Sequence, residues 1–146
     1  MAEIRHLIRI KSTPEKIYRA IVAQDGLSNW WTYDTQIVGE AGKAGSIIEF
    51  GFNNRETVFK MRVEQLDLNK RIVCTCLGGH SEWENTNLFF NLNKDGGETI
   101  LNFGHVNWKS SDGILPLCSF SWAKYLMSLK SLIEDGEGQP HLPNVA

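Results

Sequence analysis

Residues 122–138, WAKYLMSLKSLIEDGEG, read as a long amphipathic helix that follows the last strand signal of the chain. Cys118, Trp122, Tyr125, Leu126, Leu129, Leu132 and Ile133 recur at steps of three and four, which draws one broad apolar stripe on a 3.6-residue period. Lys124, Lys130, Glu134 and Asp135 fall off it. A helix with a single apolar stripe has to cover something. The extended segments ahead of it supply a sheet on which it can lie.

Those segments are marked by alternation and by turn residues. Glu3 to Ile10 forms a first strand, with Ile4, His6, Ile8 and Ile10 on one parity. Ser12-Thr13-Pro14-Glu15 then opens a helix in one of two ways: a capping box from Ser12 to Glu15, or a Thr13 cap with Pro14 at the first helical position. Asp25-Gly26 is expected to end that helix, and a second short one covers Leu27 to Trp31. Trp30 and Trp31 are adjacent and so face different directions; one of them is expected to stay partly exposed. Thr35 to Val38, Ser46 to Phe52, Glu56 to Leu66, Arg71 to Leu77, Glu84 to Asn93 and Thr99 to Val106 follow as strands. Short Gly- and Asn-rich connections make these neighbours antiparallel, because parallel pairs need long crossovers. The tail from Gly136 is expected to be loose.

Composition narrows the function classes. A chain of 146 residues forms one domain, here spanning 1–146 with a core of about 3–136 and a flexible tail over 137–146. Its 15 Lys and Arg against 17 Asp and Glu lack the basic excess of a nucleic-acid binder. Charges interrupt each apolar run of MAEIRHLIRI, so this segment neither targets nor spans a membrane, and a cytoplasmic location is expected. Three cysteines do not make a secreted disulfide framework. Cys74 and Cys76 share one face of a strand, which is half a metal site at best; small buried thiols are the expected role, with no metal and no cofactor.

Parity selects the side chains that meet the helix. Phe59, Met61 and Val63 face inward, as do Leu88, Phe90 and Leu92, and Leu101 and Phe103. Extending these sets brings in Thr86, Thr99 and His105, polar groups turned toward an apolar interior. Each costs about 1–3 kcal/mol unless it is paired or hydrated. Either they bond to neighbours within a solid core, or they line a wet pocket under the last helix. A dry void of about 300 Å³ would cost roughly 7 kcal/mol, against a typical domain stability of about 5–15 kcal/mol.

The first strand, the helix opening STPEKIYRAI, the WW pair, the hairpin TNLFFNLNKDGGETILNFGHV and the final WAKYLMSLKSLIEDGEG helix together resemble the START-related SRPBCC superfamily, most closely the group of heat-shock-protein-90 ATPase activators. The resemblance spans residues 3 to about 140. It implies an α+β helix-grip fold: a curved antiparallel sheet of about seven strands around a long C-terminal helix, with two short helices after the first strand. It also implies a cavity between sheet and helix, within a superfamily of lipid carriers, small-molecule binders, cyclases, hydratases and a co-chaperone.

Three functions follow as expectations. The leading one is binding or carriage of a small hydrophobic molecule, lined by Trp31, Phe50, Phe59, Met61, Cys74, Cys76, Leu88, Phe90, Phe103, His105, Cys118, Trp122 and Leu126. The second is a cyclase- or hydratase-type enzyme with His105 as acid or base and Thr86 or Glu49 orienting. The third is contact with a chaperone through an exposed Trp30 or Trp31, Trp83 and Trp108, in a monomer or a homodimer.

Overall fold

The computed structural model describes residues 2–143. The chain runs through β1 (Ala2–Ile10), α1 (Pro14–Val22), α2 (Gln24–Trp30), β2 (Thr35–Val38), β3 (Ile47–Phe52), β4 (Thr57–Asp67), β5 (Arg71–Gly78), β6 (Asn87–Asp95), β7 (Glu98–Trp108) and α3 (Leu115–Asp135). The strands form one sheet of order β1-β7-β6-β5-β4-β3-β2, antiparallel at every step. Short connections, the longest being 39–46 and 79–86, make β2 to β7 a meander. The long excursion through α1 and α2 carries the chain from β1, at one edge, to β2 at the other. Register shifts at Lys60/Met61 and Val63/Gln65 in the β4–β5 pair bend the sheet around α3, giving the α+β helix-grip arrangement.

Of the two helix openings, the second is the one used. Thr13 is the extended cap residue with Pro14 at the first position, and no side-chain cap is made. Ser12 instead offers its carbonyl to Thr99 Oγ1 at 2.8 Å, tying the start of α1 to β7. Asp25-Gly26, expected as a helix stop, lies inside α2. The reason for glycine there is a close approach: a Cβ on Gly26 would sit 2.5 Å from the Ala20 carbonyl oxygen. That approach brings Trp30 Nε1 within 2.9 Å of the same oxygen, closing α2 on α1.

The expectation that one ring of the tryptophan pair is exposed is overturned. α2 ends at Trp30, so Trp31 leaves the helix as its C-cap and turns inward too. Trp30 is 0% exposed and Trp31 4%. Trp83 and Trp108, also expected at the surface, are buried; the first donates its indole N–H to the Lys60 carbonyl and the second to the His105 carbonyl. β6 starts at Asn87 rather than Glu84 because residues 80–86 coil into turns that carry Trp83 inward.

α3 starts at Leu115, with Pro116 in its first turn, and stops at Gly136, whose φ of 84° suits glycine as the left-handed cap. Of the tail expected to be loose, 144–146 lie outside the described residues, and the described part is tied down. Gln139 N–H bonds to Ser128 Oγ at 2.6 Å, His141 N–H to the Trp31 carbonyl at 2.8 Å, and Tyr33 N–H to the His141 carbonyl at 2.9 Å. The chain thus crosses α3 and pairs His141 with Thr32 beside the helix–sheet junction. Among the described residues no helix is long and apolar enough to cross a membrane.

Substituting Gly26→Ala should force α2 off α1 and destabilise the fold by about 1–3 kcal/mol. Urea unfolding checks this, with Gly97→Ala, where nothing lies within 4 Å of the added carbon, staying within about 0.5 kcal/mol of the parent.

Candidate functional site

The strand parities hold, and with them the direction of the expected lining residues. Phe50, Met61, Cys74, Cys76, Leu88, Phe90, Phe103 and His105 all point into the core from β3 to β7 and are buried. Trp31, Trp122 and Leu126 meet them from the helical side, while Phe59 and Cys118 are half-buried at the rim. The space beneath the middle of α3 is solid. Trp31 stacks on Phe50 at 3.7 Å and leans on Trp122 at 4.6 Å, and Trp122 packs on Phe103 at 4.6 Å. Beside Met61, Cys74 and Phe90, under α1 and α2, only about 10 Å³ is left open, too little to hold more than one water.

His105 is part of that solid. Trp122 Nε1, which can only donate, gives its hydrogen to His105 Nδ1 at 3.0 Å. This places the imidazole proton on Nε2, which donates to Thr86 Oγ1 at 2.8 Å, with Cys76 Sγ at 3.8 Å beside it. The Thr86 hydroxyl passes its own hydrogen to the Trp83 carbonyl. The chain of donors therefore runs from Trp122 through His105 and Thr86 to a backbone oxygen, and each polar atom in it is satisfied. Of the two accounts of the inward polar residues, hydrogen bonding within a filled core is the one realised here.

That arrangement sets aside the acid–base role of His105. Burial lowers its pKa from 6.5 to about 3, its lone pair is taken by an indole, and the side chain is 0% exposed. Glu49 is nowhere beside it. It lies on the opposite parity of β3 from Phe50 and pairs with Arg55 at 2.7 Å, as does Asp34. This ion cluster holds the β3–β4 turn, where Asn53, Asn54 and Arg55 take φ of 53°, 58° and 66° in succession, a run that costs about 1–2 kcal/mol per residue. The thiols are equally inert: burial pushes Cys74 up to about 12 and Cys118 to about 11. Among the described residues no group of three His, Cys, Asp or Glu could hold a metal ion.

At the helix–sheet junction, open space lies toward one end. A groove of about 560 Å³ is bounded by the first half of α3, the β3–β4 hairpin, the 79–83 turn and the tail. Four expected residues line it, Trp31, Phe59, Cys118 and Trp122. Phe50, Met61, Cys74, Cys76, Leu88, Phe90, Phe103, His105 and Leu126 do not; they are core. Sequence reading missed Phe52, Asn53, Thr57, Gly79, His80, Trp83, Ile114, Leu117, Ser121, Tyr125 and His141. Tyr125 was legible as part of the apolar stripe, and Phe52 by parity with Phe50. His80, Ile114 and His141 sit in turns or the tail, where no periodicity reports direction. None of the lining residues carries a fixed charge.

Comparison with known proteins fits this geometry. The family model described as Activator of Hsp90 ATPase homolog 1-like protein matches residues 11–134. The solution structure of the Aha1 dimer from Colwellia psychrerythraea is 37% identical, covers 94% of this chain and 100% of its own, and superposes with a TM-score of 0.84. A crystal structure from Staphylococcus saprophyticus covers 97% of this chain and 98% of its own at 15% identity and a TM-score of 0.76. CalU16 from Micromonospora echinospora covers 94% of this chain and 84% of its own at 14% identity and a TM-score of 0.73. The last two share the fold alone. Comparison with curated proteins finds no match.

The neutral His105 makes stability depend on acid. The unfolded chain protonates this imidazole below pH 6.5, whereas the folded chain refuses the proton until about pH 3. Its contribution is therefore complete above the ordinary histidine range and lost as pH falls through this window. Urea unfolding should show a loss of about 1.5–2 kcal/mol from this group between pH 6.5 and 5, at a limiting slope near 1.4 kcal/mol per pH unit. A His105→Gln variant should have a correspondingly flatter profile.

Proposed function

We propose, on the premise that the chain belongs to the family of Activator of Hsp90 ATPase homolog 1-like proteins, that it is a binding module which holds a small apolar molecule in the groove under the first half of α3. The observation that carries this reading is the lining. Trp31, Phe52, Phe59, Trp83, Trp122 and Tyr125 surround about 560 Å³ with no fixed charge among the residues that face it. A volume of that size falls in the range of small-molecule sites. Covering aromatic surface here returns about 25 cal/mol for each Å² removed from water. A lining made mostly of aromatic surface supports carriage or sensing of an apolar molecule.

A second reading has its own observation. Leu117, Phe120 and Met127 stand 66%, 68% and 51% exposed along the outer side of α3, at spacings of three and seven that keep them on one face. Such a stripe is the kind of surface that proteins use to meet one another. The Colwellia relative is a dimer, and the family description speaks of an Hsp90 ATPase. A protein contact through this face, with a second copy or with such an ATPase, is compatible with ligand binding in the adjoining groove. Three unpaired thiols suit a reducing, cytoplasmic setting.

Titration with the neutral fluorophore N-phenyl-1-naphthylamine should give saturable, one-to-one binding, and Ser121→Trp, which fills the groove from α3, should abolish it with little change in unfolding midpoint. Failure of the parent to bind any neutral aromatic probe would remove the groove reading. For the second reading, light scattering should show a dimer that Phe120→Glu converts to monomer. A parent that is monomeric at high concentration and leaves the turnover of an Hsp90-type ATPase unchanged would remove it.

A further inference from the structure

One buried polar side-chain atom among the described residues has no hydrogen-bond partner, Nε2 of His141. It is found at the groove. His141 forms part of the groove wall, with its ring 5.0 Å from that of Phe52. It also lines a second depression, of similar volume, on the outer side of α3 with Phe120 and Tyr125, so the tail stands as a partition between the two. Its backbone is held firmly: the N–H bonds to the Trp31 carbonyl, and the carbonyl accepts from Tyr33 N–H. The imidazole is therefore delivered to the groove by bonds that leave its own Nε2 unanswered. Position 141 also lies outside residues 11–134, the part that the family model matches.

We infer that His141 is the polar recognition point of the groove, and that the ligand is a neutral aromatic alcohol whose hydroxyl bonds to Nε2. This rests on the groove reading and goes beyond it by giving the ligand a class. Three observations converge. The aromatic walls call for a flat apolar body. The absence of carboxylate, lysine and arginine from the lining leaves nothing to neutralise a charged group, so the molecule is uncharged. The unanswered Nε2 calls for a partner, and on an aromatic body a hydroxyl serves either tautomer, accepting from N–H or donating to a bare nitrogen, whereas a carbonyl or an ether can only accept. Nε2 is buried in this position, so the bond requires the imidazole to turn about its two side-chain torsions, a motion that the backbone bonds at position 141 do not prevent.

The other polar groups on the groove wall fit a supporting role. His80 Nδ1 already accepts from Glu82 N–H at 3.0 Å. Ser121 and Thr57 are flexible hydroxyls that can exchange partners with solvent, which an orphaned buried nitrogen cannot. A ligand hydroxyl at His141 therefore meets a nitrogen that no protein group answers, and the preference it creates should be readable as affinity.

The test compares two probes of nearly equal shape, 2-naphthol and naphthalene, by calorimetric titration of the full chain. The parent should bind 2-naphthol roughly tenfold tighter than naphthalene, the size of one bond to a buried partner, and more than the hydroxyl alone returns in water. His141→Phe should keep its affinity for naphthalene and lose the preference, and His141→Gln should keep part of it. A nitrogen-15 spectrum of the parent provides a readout that needs no variant: the His141 ring nitrogens should shift with 2-naphthol and not with naphthalene. Equal affinity for the two probes in the parent, an unchanged preference in His141→Phe, or an imidazole silent to 2-naphthol would each overturn the inference while leaving the groove reading standing. Absence of binding by either probe would overturn both.

Discussion

Trp122 is the contact on which the rest of this molecule turns. Its ring is wedged between Trp31, at the end of α2, and Phe103 in β7, and its indole N–H is spent on His105. One side chain thus joins the long helix, the short helices and the middle of the sheet. Removing it would open a cavity and also strand a buried imidazole nitrogen, two penalties that reinforce each other. The histidine is acceptable in the core only because an indole and a threonine meet both its nitrogens, and the threonine is acceptable only because the Trp83 carbonyl takes its hydrogen.

This plug decides where a ligand could go. Rings at 3.7–4.6 Å separation leave no space under the middle of α3. Toward the start of the helix, Ser121, Gly79 and Thr57 are too small to close the distance between α3 and the hairpin, and the groove opens there with Trp31 and Trp122 in its wall. The same side chains that make the core dry therefore supply aromatic surface to the groove. The same packing keeps His105 out of the groove, because burial tunes it toward neutrality and it is enclosed on every side. A fold shared with proteins of varied roles says little about activity; what speaks is the site.

Much of this was readable along the chain. The alternation of Phe59, Met61 and Val63 against Lys60, Arg62 and Glu64 assigned β4 its faces, and the same logic placed Cys74, Cys76, Leu88, Phe90 and Phe103 inside, where they are. The failures have a common cause. As sequence, Gly26 reads as a helix stop because glycine favours stops, whereas its role is steric and depends on Ala20 lying against it. Trp30 and Trp31 were read through helical geometry, which ceases to apply at the residue where α2 ends. Trp83 lies in a turn and Trp108 at the end of β7, and the carbonyls that let their indoles be buried, Lys60 across the sheet and His105 three residues back, are marked by no sequence period.

What the amino-acid order determined alone is the set of elements, their faces, their antiparallel succession and the need for the last helix to cover the sheet, because periods of 2 and 3.6 and turn chemistry are local properties. What only the tertiary structure decided is that the centre is filled, that His105 is a structural relay, and that the groove borrows Trp31, Phe59, Cys118 and His141 from four separate parts of the chain. A cavity is the remainder left when side chains from distant segments have packed. No local pattern carries that difference of volumes, so it exists only once the segments are brought together.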